Sequence, residues 1–190
     1  MKLSILLFAC LLIPGVVLAG DEAEQDKIAE AQAAIREMRT KTLDDLYALN
    51  PSLEEVAAAS EAVAVFSSLG FNVFLLSTAR GGGLVTETAT GRETFMRMLS
   101  VGGGFGMGIK DFRVVFFFHT RPAYENFLSK GWDFSGQGDV AAEALDRGAS
   151  LEMAASVVDG VSMYQLTENG LALQATLQGT KYYVDRKLNN

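Results

Sequence analysis

Residues 112–119 read Phe-Arg-Val-Val-Phe-Phe-Phe-His, and this stretch decides the fold class of the chain. A strand that is covered on one face alternates apolar and polar residues, whereas a strand buried on both faces is apolar almost throughout. Apart from Arg113, residues 112–118 are apolar at every position. We therefore expect this stretch to form a central β-strand with other parts of the protein packed on both of its faces.

The sequence around this strand predicts a β-rich domain with one further helix. β-Branched and aromatic runs broken by glycine are typical of strands and turns. Besides 112–119, they occur at residues 63–66, 72–78, 84–88, 101–109, 132–143, 156–165 and 171–184. Thr120 can cap a helix that has Pro122 in its first turn and ends before Gly131. Residues 167–170, Thr-Glu-Asn-Gly, predict a hairpin turn, because Asn-Gly tolerates the positive φ angles that tight turns need.

Residues 20–49 predict an amphipathic N-terminal helix. Its apolar stripe recurs every three or four residues at Ile28, Ala31, Ile35, Met38, Thr42 and Leu46. Pro51 interrupts it, and Ser52 with Glu55 reads as a capping box that starts a second helix ending near Ala59. The stripe either packs on the domain's own sheet or docks on a lipid surface or partner. The expected fold is α+β, with N-terminal amphipathic helices packed on a largely antiparallel, glycine-rich β-sheet or partly closed barrel.

Residues 1–19 are typical of a secretory signal peptide. Lys2 is followed by an apolar run and by small residues before Ala19, where cleavage is expected. The run is shorter than the roughly 20 residues of a membrane-spanning helix. A lipoprotein anchored at Cys10 is the weaker alternative, because Phe8 is bulky for that motif. We expect export to the periplasm or the medium, with peripheral membrane association.

Composition restricts the chemistry that the chain can perform. Its 190 residues carry a net charge of −7, which disfavours general nucleic-acid binding, since such binders carry a clustered positive field. One Cys and one His exclude a cysteine-based zinc cluster and any site that needs several imidazoles. Neither His119 nor any Ser lies in a nucleophile motif, so a hydrogen-bonded structural imidazole is the expected role of His119. We expect no enzyme, cofactor or metal site.

Glycine and basic residues supply the candidate binding features. Most of the 19 glycines lie between Gly81 and Gly138, and residues 102–108 place Gly at every second position. On a strand this pattern leaves one face as bare backbone, which indicates either a crossing helix, a sharply bent sheet, or an apolar groove for a ligand such as an acyl chain. Arginines and lysines in the same half could contact lipid phosphates or form an ordinary solvated surface.

The order of these segments resembles the SYLF domain family, a lipid-binding domain also known from yeast and animal proteins linked to actin assembly and endocytosis. The resemblance covers roughly residues 50–185 and implies a SYLF-like lipid-binding domain over residues 50–190. It rests on residues 62–66, 71–78, 80–85 (Arg-Gly-Gly-Gly-Leu-Val), 102–108, 111–118, 123–127, 131–138 (Gly-Trp-Asp-Phe-Ser-Gly-Gln-Gly) and 170–180. It implies phospholipid or phosphoinositide binding through the N-terminal helix and basic side chains. Arg80 matches the arginine before the glycine turn in many eukaryotic members, and Lys110 lies where the glycine run meets the next strand.

The expected function is non-enzymatic binding of phospholipid or another amphiphile at the cell envelope. The alternative is a structural or protein-interaction component of the envelope without a lipid ligand. Actin is not an expected partner, because the export signal separates this chain from the cytosolic members of the family. The candidate lipid-binding residues are Ile28, Ile35, Met38, Arg80, Arg92, Arg97, Lys110, Gly104, Gly106 and Gly108.

Overall fold

The structure is a computed structural model, and it describes residues 17–73, 76–103, 112–133, 155–167, 170–172 and 180–190. The helices are α1 (Val17–Leu49), α2 (Ser52–Ala59) and α3 (Arg121–Lys130). The strands are β1 (Ala62–Val73), β2 (Leu76–Glu87), β3 (Glu93–Gly103), β4 (Phe112–Phe118), β5 (Trp132–Asp133), β6 (Ala155–Val158), β7 (Val161–Thr167), β8 (Gly170–Ala172) and β9 (Thr180–Val184). The predicted α+β class is confirmed.

All of these strands belong to one curled antiparallel sheet. Its order is β5-β9-β3-β2-β1-β4-β7-β6, and β8 pairs with β7 beside β6. β4 lies between β1 and β7. Residues 114–118 of β4 are at most 2% exposed. The prediction that this stretch is a central strand covered on both faces is confirmed.

One face of the sheet carries an aromatic core beneath α3. Alternate residues of β1 and β4 point into it, among them Phe66 and Phe116. Phe127 of α3 packs edge-on against Trp132, with ring centroids 4.6 Å apart. The Tyr182 ring lies 4.8 Å from that of Phe66, and its full burial raises the pKa of its hydroxyl. Edge-to-face contacts of this kind add stability beyond the apolar area that they bury.

The opposite face is covered by α1 and α2. Leu43 and Leu46 of α1 pack with Val115 and Phe117 of β4, which occupy the alternate positions of that strand. An ion pair between Arg113 Nη1 and Asp45 Oδ2, 2.5 Å apart, also joins α1 to β4. The protein is therefore built in three layers, with α1 and α2 on one side of the sheet and α3 on the other.

Some predicted strand boundaries are wrong. The apolar run at 72–78 spans the end of β1 and the start of β2, and its apolar centre gave no turn signal. β3 begins at Glu93, well before residue 101. The sequence did not indicate this start, because apolar and polar residues alternate over only a few positions in the N-terminal half of the strand. The run at 156–165 is divided into β6 and β7 by a turn in which Gly160 has a φ of 78°.

The helix boundaries agree with the sequence at some ends and differ at others. Thr120 is the N-cap of α3, although its side chain makes no capping hydrogen bond, and α3 ends at Lys130, before Gly131, as predicted. The capping box at Ser52 is wrong, because Pro51 is the N-cap of α2. The Ser52 hydroxyl donates instead to Asn50 Oδ1 at 2.7 Å.

Several predictions fall partly on residues that the structure does not describe. α1 contains the predicted helix at 20–49, while residues 1–16 of the predicted signal peptide lie outside the described residues. Thr167 pairs with Gly170 as a hairpin requires, and the two residues between them are not described. Of the predicted strands at 101–109 and 132–143, only residues 101–103 and 132–133 are described; of the one at 171–184, the described residues form β8 and β9.

Candidate functional site

α1 crosses the sheet over β1, β2 and β3 and leaves a pocket of about 630 Å³ beneath it. Most of the described side chains around this pocket are aliphatic, aromatic or methionine. The lining residues are Ala34, Ile35, Met38, Ser67, Gly81, Gly82, Met96, Arg97, Met98, Leu99, Tyr183, Asp185 and Leu188. We call this the α1 pocket. Its volume falls within the range of about 300–1,000 Å³ that is usual for small-molecule sites.

Gly82 forms the floor of the α1 pocket. The strand register places it between Ser67 of β1 and Arg97 of β3, on the face that α1 covers. A Cβ at this position would lie 3.4 Å from Ile35 Cδ1, an ordinary contact distance. Gly82 therefore tolerates a side chain, and any side chain there would grow into the space between the sheet and α1.

The neighbouring glycines, Gly81 and Gly83, are required by close packing within the sheet. A Cβ at Gly83 would lie 2.2 Å from Phe66 Cδ1, and one at Gly81 would lie 2.0 Å from the Ser67 carbonyl oxygen. Both positions require Gly because the aromatic core and the backbone of β1 approach them closely. The bare backbone that the sequence predicts at residues 102–108 falls mostly on residues that the structure does not describe. Gly104, Gly106 and Gly108 lie outside the described residues.

Arg97 and Asp185 form an ion pair at the edge of the pocket. Arg97 Nε donates to Asp185 Oδ2 at 2.5 Å, and 51% of the Arg97 side chain is exposed against 6% of the Asp185 side chain. The backbone N–H of Lys187 donates to the other carboxylate oxygen at 2.9 Å. The hydrogen bond to Asp185 raises the pKa of the Arg97 guanidinium. Among the described lining residues these two are the charged ones, so the formal charges at the pocket edge cancel.

Polar contacts fasten the N-terminal half of α1 above the pocket. Gln32 Nε2 donates to the Leu188 carbonyl at 2.9 Å. Arg36 forms an ion pair with Glu93 at 2.8 Å, and its guanidinium carbon lies 5.1 Å from the centre of the Phe95 ring. These contacts are exposed or part-buried. Exposed ion pairs typically contribute only about 0–1 kcal/mol each. This half of α1 is therefore held less firmly than the half that contains Leu43 and Leu46.

The structure brings together three of the ten sequence-predicted site residues. Ile35, Met38 and Arg97 line the α1 pocket, whereas Ile28 is a part-buried residue nearer the start of α1. Arg80 pairs through its backbone with residues 69 and 99, and its side chain is not described. Lys110 lies outside the described residues altogether.

Arg92 lies apart from the pocket, in a cluster around Glu87. Arg92 Nη2 donates to the Tyr124 hydroxyl at 3.3 Å, and its Nε lies 3.4 Å from a carboxylate oxygen of Glu87. Arg121 of α3 also pairs with Glu87, whose side chain is only 5% exposed. Arg92 already contacts Glu87 and Tyr124. The cluster around Glu87 therefore joins α3 to the β2–β3 hairpin.

Sequence reasoning missed Gly82, Leu99, Tyr183 and Asp185. Their proximity depends on the pairing of β3 with both β2 and β9, which brings Tyr183 beside Arg97 from far along the chain. The alternation of residues 95–99 would have placed Arg97 and Leu99 on one face. Nothing in the local sequence indicates which strand lies next to them.

His119 is hydrogen-bonded, as expected. Its Nε2 lies 2.6 Å from the Ser162 hydroxyl oxygen, in an exposed position. Within the described residues, no group of three or more His, Cys, Asp or Glu side chains is arranged to hold a metal ion. The helices in that same part of the chain include none that is both long and apolar enough to cross a membrane.

The chain is similar to known proteins over part of its length. Residues 99–190 match the model of the Ysc84 family, described as Las17-binding protein actin regulator. Beta cell expansion factor A of Aeromonas veronii is 31% identical over 159 residues, which cover 84% of this chain and 59% of that protein. The chain thus spans less than two thirds of this relative's length. The match over residues 99–190 confirms the resemblance to the SYLF family that the sequence indicates.

Proposed function

We propose that this protein binds phospholipid or another amphiphile at the cell envelope, without catalysing a reaction. The observation that carries the proposal is the convergence of Ile35, Met38 and Arg97, from two distant segments, on one apolar pocket. An amphiphile needs an apolar surface for its tail and a polar or charged group beside it. The α1 pocket offers both, with Arg97 at its exposed edge.

Export is part of the proposal. The N-terminal residues are typical of a signal peptide, and cleavage near Ala19 would leave the protein in the periplasm or the medium. There it would meet the lipids of the envelope as a peripheral protein. Arg80, Arg92, Arg97 and Lys110 remain the candidate headgroup contacts, with Arg97 the best supported because it lies on the pocket.

The residues around the pocket favour binding over catalysis. The charged pair at the pocket edge is already satisfied internally, since Arg97 and two backbone N–H groups donate to Asp185. A general acid or base requires a titratable group aimed at the substrate, with a pKa matched to its task. The family description also names a binding protein and regulator.

Liposome flotation tests this function. The exported protein, purified from the envelope of cells that express it, is mixed with vesicles of phosphatidylethanolamine alone or with added phosphatidylglycerol. We expect it to float with at least one composition, and lipid extracted from the untreated protein should contain envelope phospholipid or its breakdown products. Failure to float with either vesicle, together with lipid-free protein in native mass spectrometry, would overturn the proposal.

Envelope protein binding is the second candidate, and the family description favours it because it names a protein partner, Las17. Crosslinking in cells separates the two functions. A protein-binding component should give a stoichiometric protein adduct that persists after lipid extraction, whereas the lipid-binding function predicts that extraction removes the bound material.

A further inference from the structure

We propose that the α1 pocket is a site for one alkyl chain, so that the protein binds single-chain amphiphiles, with the headgroup oxygen held by Arg97. This inference rests on the proposed function and narrows it, since membrane binding through the surface of α1 would not require an internal site. The ligand class is a lysophospholipid or a fatty acid, which share one hydrocarbon tail and one anionic phosphate or carboxylate group.

The lining of the pocket fits a hydrocarbon chain. Ile35 and Met38 cover it from α1, and Leu99 and Leu188 close it from β3 and the C-terminal segment. Methionine side chains are flexible and polarizable, which suits contact with a chain that has no fixed shape. Gly82 adds no side-chain atoms to the floor, and the Ile35 side chain lies directly above it, since a Cβ on Gly82 would be 3.4 Å from Ile35 Cδ1.

The size of the pocket favours one alkyl chain over larger occupants. Its volume of about 630 Å³ is suitable for a small molecule and lies between α1, the sheet and the C-terminal segment. A partner helix would need a groove open along its length. α1 itself crosses the pocket and is fastened to the C-terminal segment through Gln32 and to β3 through Arg36.

Arg97 can hold the headgroup without giving up its partner. The bond to Asp185 uses Nε of the guanidinium, and half of the side chain remains exposed at the pocket edge. A guanidinium has five N–H donors. Its terminal amino groups can therefore donate to a phosphate or carboxylate oxygen while Nε stays bonded to Asp185.

A chain-length series tests the inference. Lauroyl-, myristoyl- and palmitoyl-lysophosphatidylcholine, and the matching fatty acids, are titrated below their micelle concentrations. We expect saturable binding of one molecule per protein, with Kd falling about fourfold for each added methylene until the pocket is full. Comparison of the two series shows whether the site prefers the phosphate of a lysophospholipid or the carboxylate of a fatty acid. Absence of saturable binding in both, or affinity independent of chain length, would overturn the inference.

Variants that fill the α1 pocket test whether the amphiphile binds inside it. Gly82→Leu places a side chain on the pocket floor and should weaken binding by about thirtyfold or more, because several chain methylenes lose their space. Ala58→Leu creates the same side chain at an exposed position of α2 and should leave binding unchanged. Ala34→Phe fills the pocket from α1, and Ala33→Phe is its control on an exposed neighbouring position, should Gly82→Leu fail to fold.

The two proposals fail differently. If the wild-type protein floats with liposomes but binds no monomeric amphiphile, the single-chain site is wrong and the lipid-binding function stands. The single-chain site is also wrong if Gly82→Leu and Ala34→Phe, both folded, bind amphiphile as the wild type does. Loss of both flotation and monomer binding overturns both proposals.

Discussion

Gly131 and Gly91 both have positive φ angles, but they differ in their surroundings. Gly131 ends α3 with a φ of 66°, and a Cβ there would lie 2.1 Å from the Tyr182 carbonyl oxygen. Gly91, in the β2–β3 turn, has a φ of 69° and no heavy atom within 4 Å of a Cβ. The first position therefore adds a steric clash to the backbone strain that both share.

Replacing each of these glycines by Ala should separate the cost of backbone strain from the cost of the steric clash. Gly91→Ala should lower the free energy of unfolding by about 1–2 kcal/mol, the cost of a left-handed conformation for a residue with a Cβ. Gly131→Ala should lower it by more than that, because β9 must move away from the methyl group. Urea unfolding of both variants measures the difference, and equal losses would show that the contact between Gly131 and Tyr182 is not as close as described.

Glu87 should make stability depend on pH in the acid range. Hydrogen bonds from Thr90 and then from Arg121 hold the pKa of this buried carboxyl below its ordinary value. A carboxylate whose pKa is lowered by folding stabilises the protein above its unfolded-state pKa of about 4.3, and that contribution is lost as pH falls through the lower, folded-state pKa. The stabilisation is therefore present at neutral pH and disappears in acid.

Glu87→Gln tests this origin of acid sensitivity. Urea midpoints measured from neutral pH downward should fall less steeply for the variant than for the wild type. Glu55→Gln, on the exposed face of α2, is the matched control and should follow the wild-type curve. Parallel curves for wild type and Glu87→Gln would show that the Glu87 cluster contributes nothing that depends on its ionisation.

At the scale of elements, β4 and the stripe of α1 could be predicted from sequence because each is determined by its own residues. The apolar run of β4 and the spacing of Thr42 and Leu46 state directly which positions are buried. The β1–β2 hairpin could not be predicted, since residues 72–78 contain no Gly, Pro or Asp to mark a turn. In such a run the pairing of neighbouring strands, and not local propensity, decides where the chain reverses.

The half of α1 that contains Leu43 and Leu46 gives a prediction for this element. Leu46 is 0% exposed in the core between α1 and β4, whereas Leu49, one turn later, is 54% exposed. Leu46→Ala should lower the free energy of unfolding by about 2–5 kcal/mol through lost burial and a residual cavity. Leu49→Ala should change it by less than about 0.5 kcal/mol, as is usual at exposed positions. Similar losses in chemical denaturation would mean that α1 does not pack on the sheet in this way.

At the scale of the whole molecule, the sequence predicted the class of the fold better than it predicted which residues lie together around the α1 pocket. Ile35, Met38 and Arg97 were selected for their apolar or basic character, and the structure brings them to one pocket. Arg92 was selected on the same grounds but lies in the Glu87 cluster. The difference arises from the sheet order, which places β9 and the C-terminal segment beside β3 and is not encoded in any local pattern.

Photocrosslinking tests the central claim, that an amphiphile lies between α1 and the sheet, most directly. The purified protein is irradiated with a lysophosphatidylcholine that carries a diazirine near the end of its acyl chain, and the adducts are mapped by mass spectrometry. We expect adducts on α1 around Ile35 and Met38 and on β3 around Leu99, and we expect Gly82→Leu to remove them while Ala58→Leu keeps them. Adducts confined to other parts of the chain, or adducts that Gly82→Leu leaves unchanged, would contradict the claim.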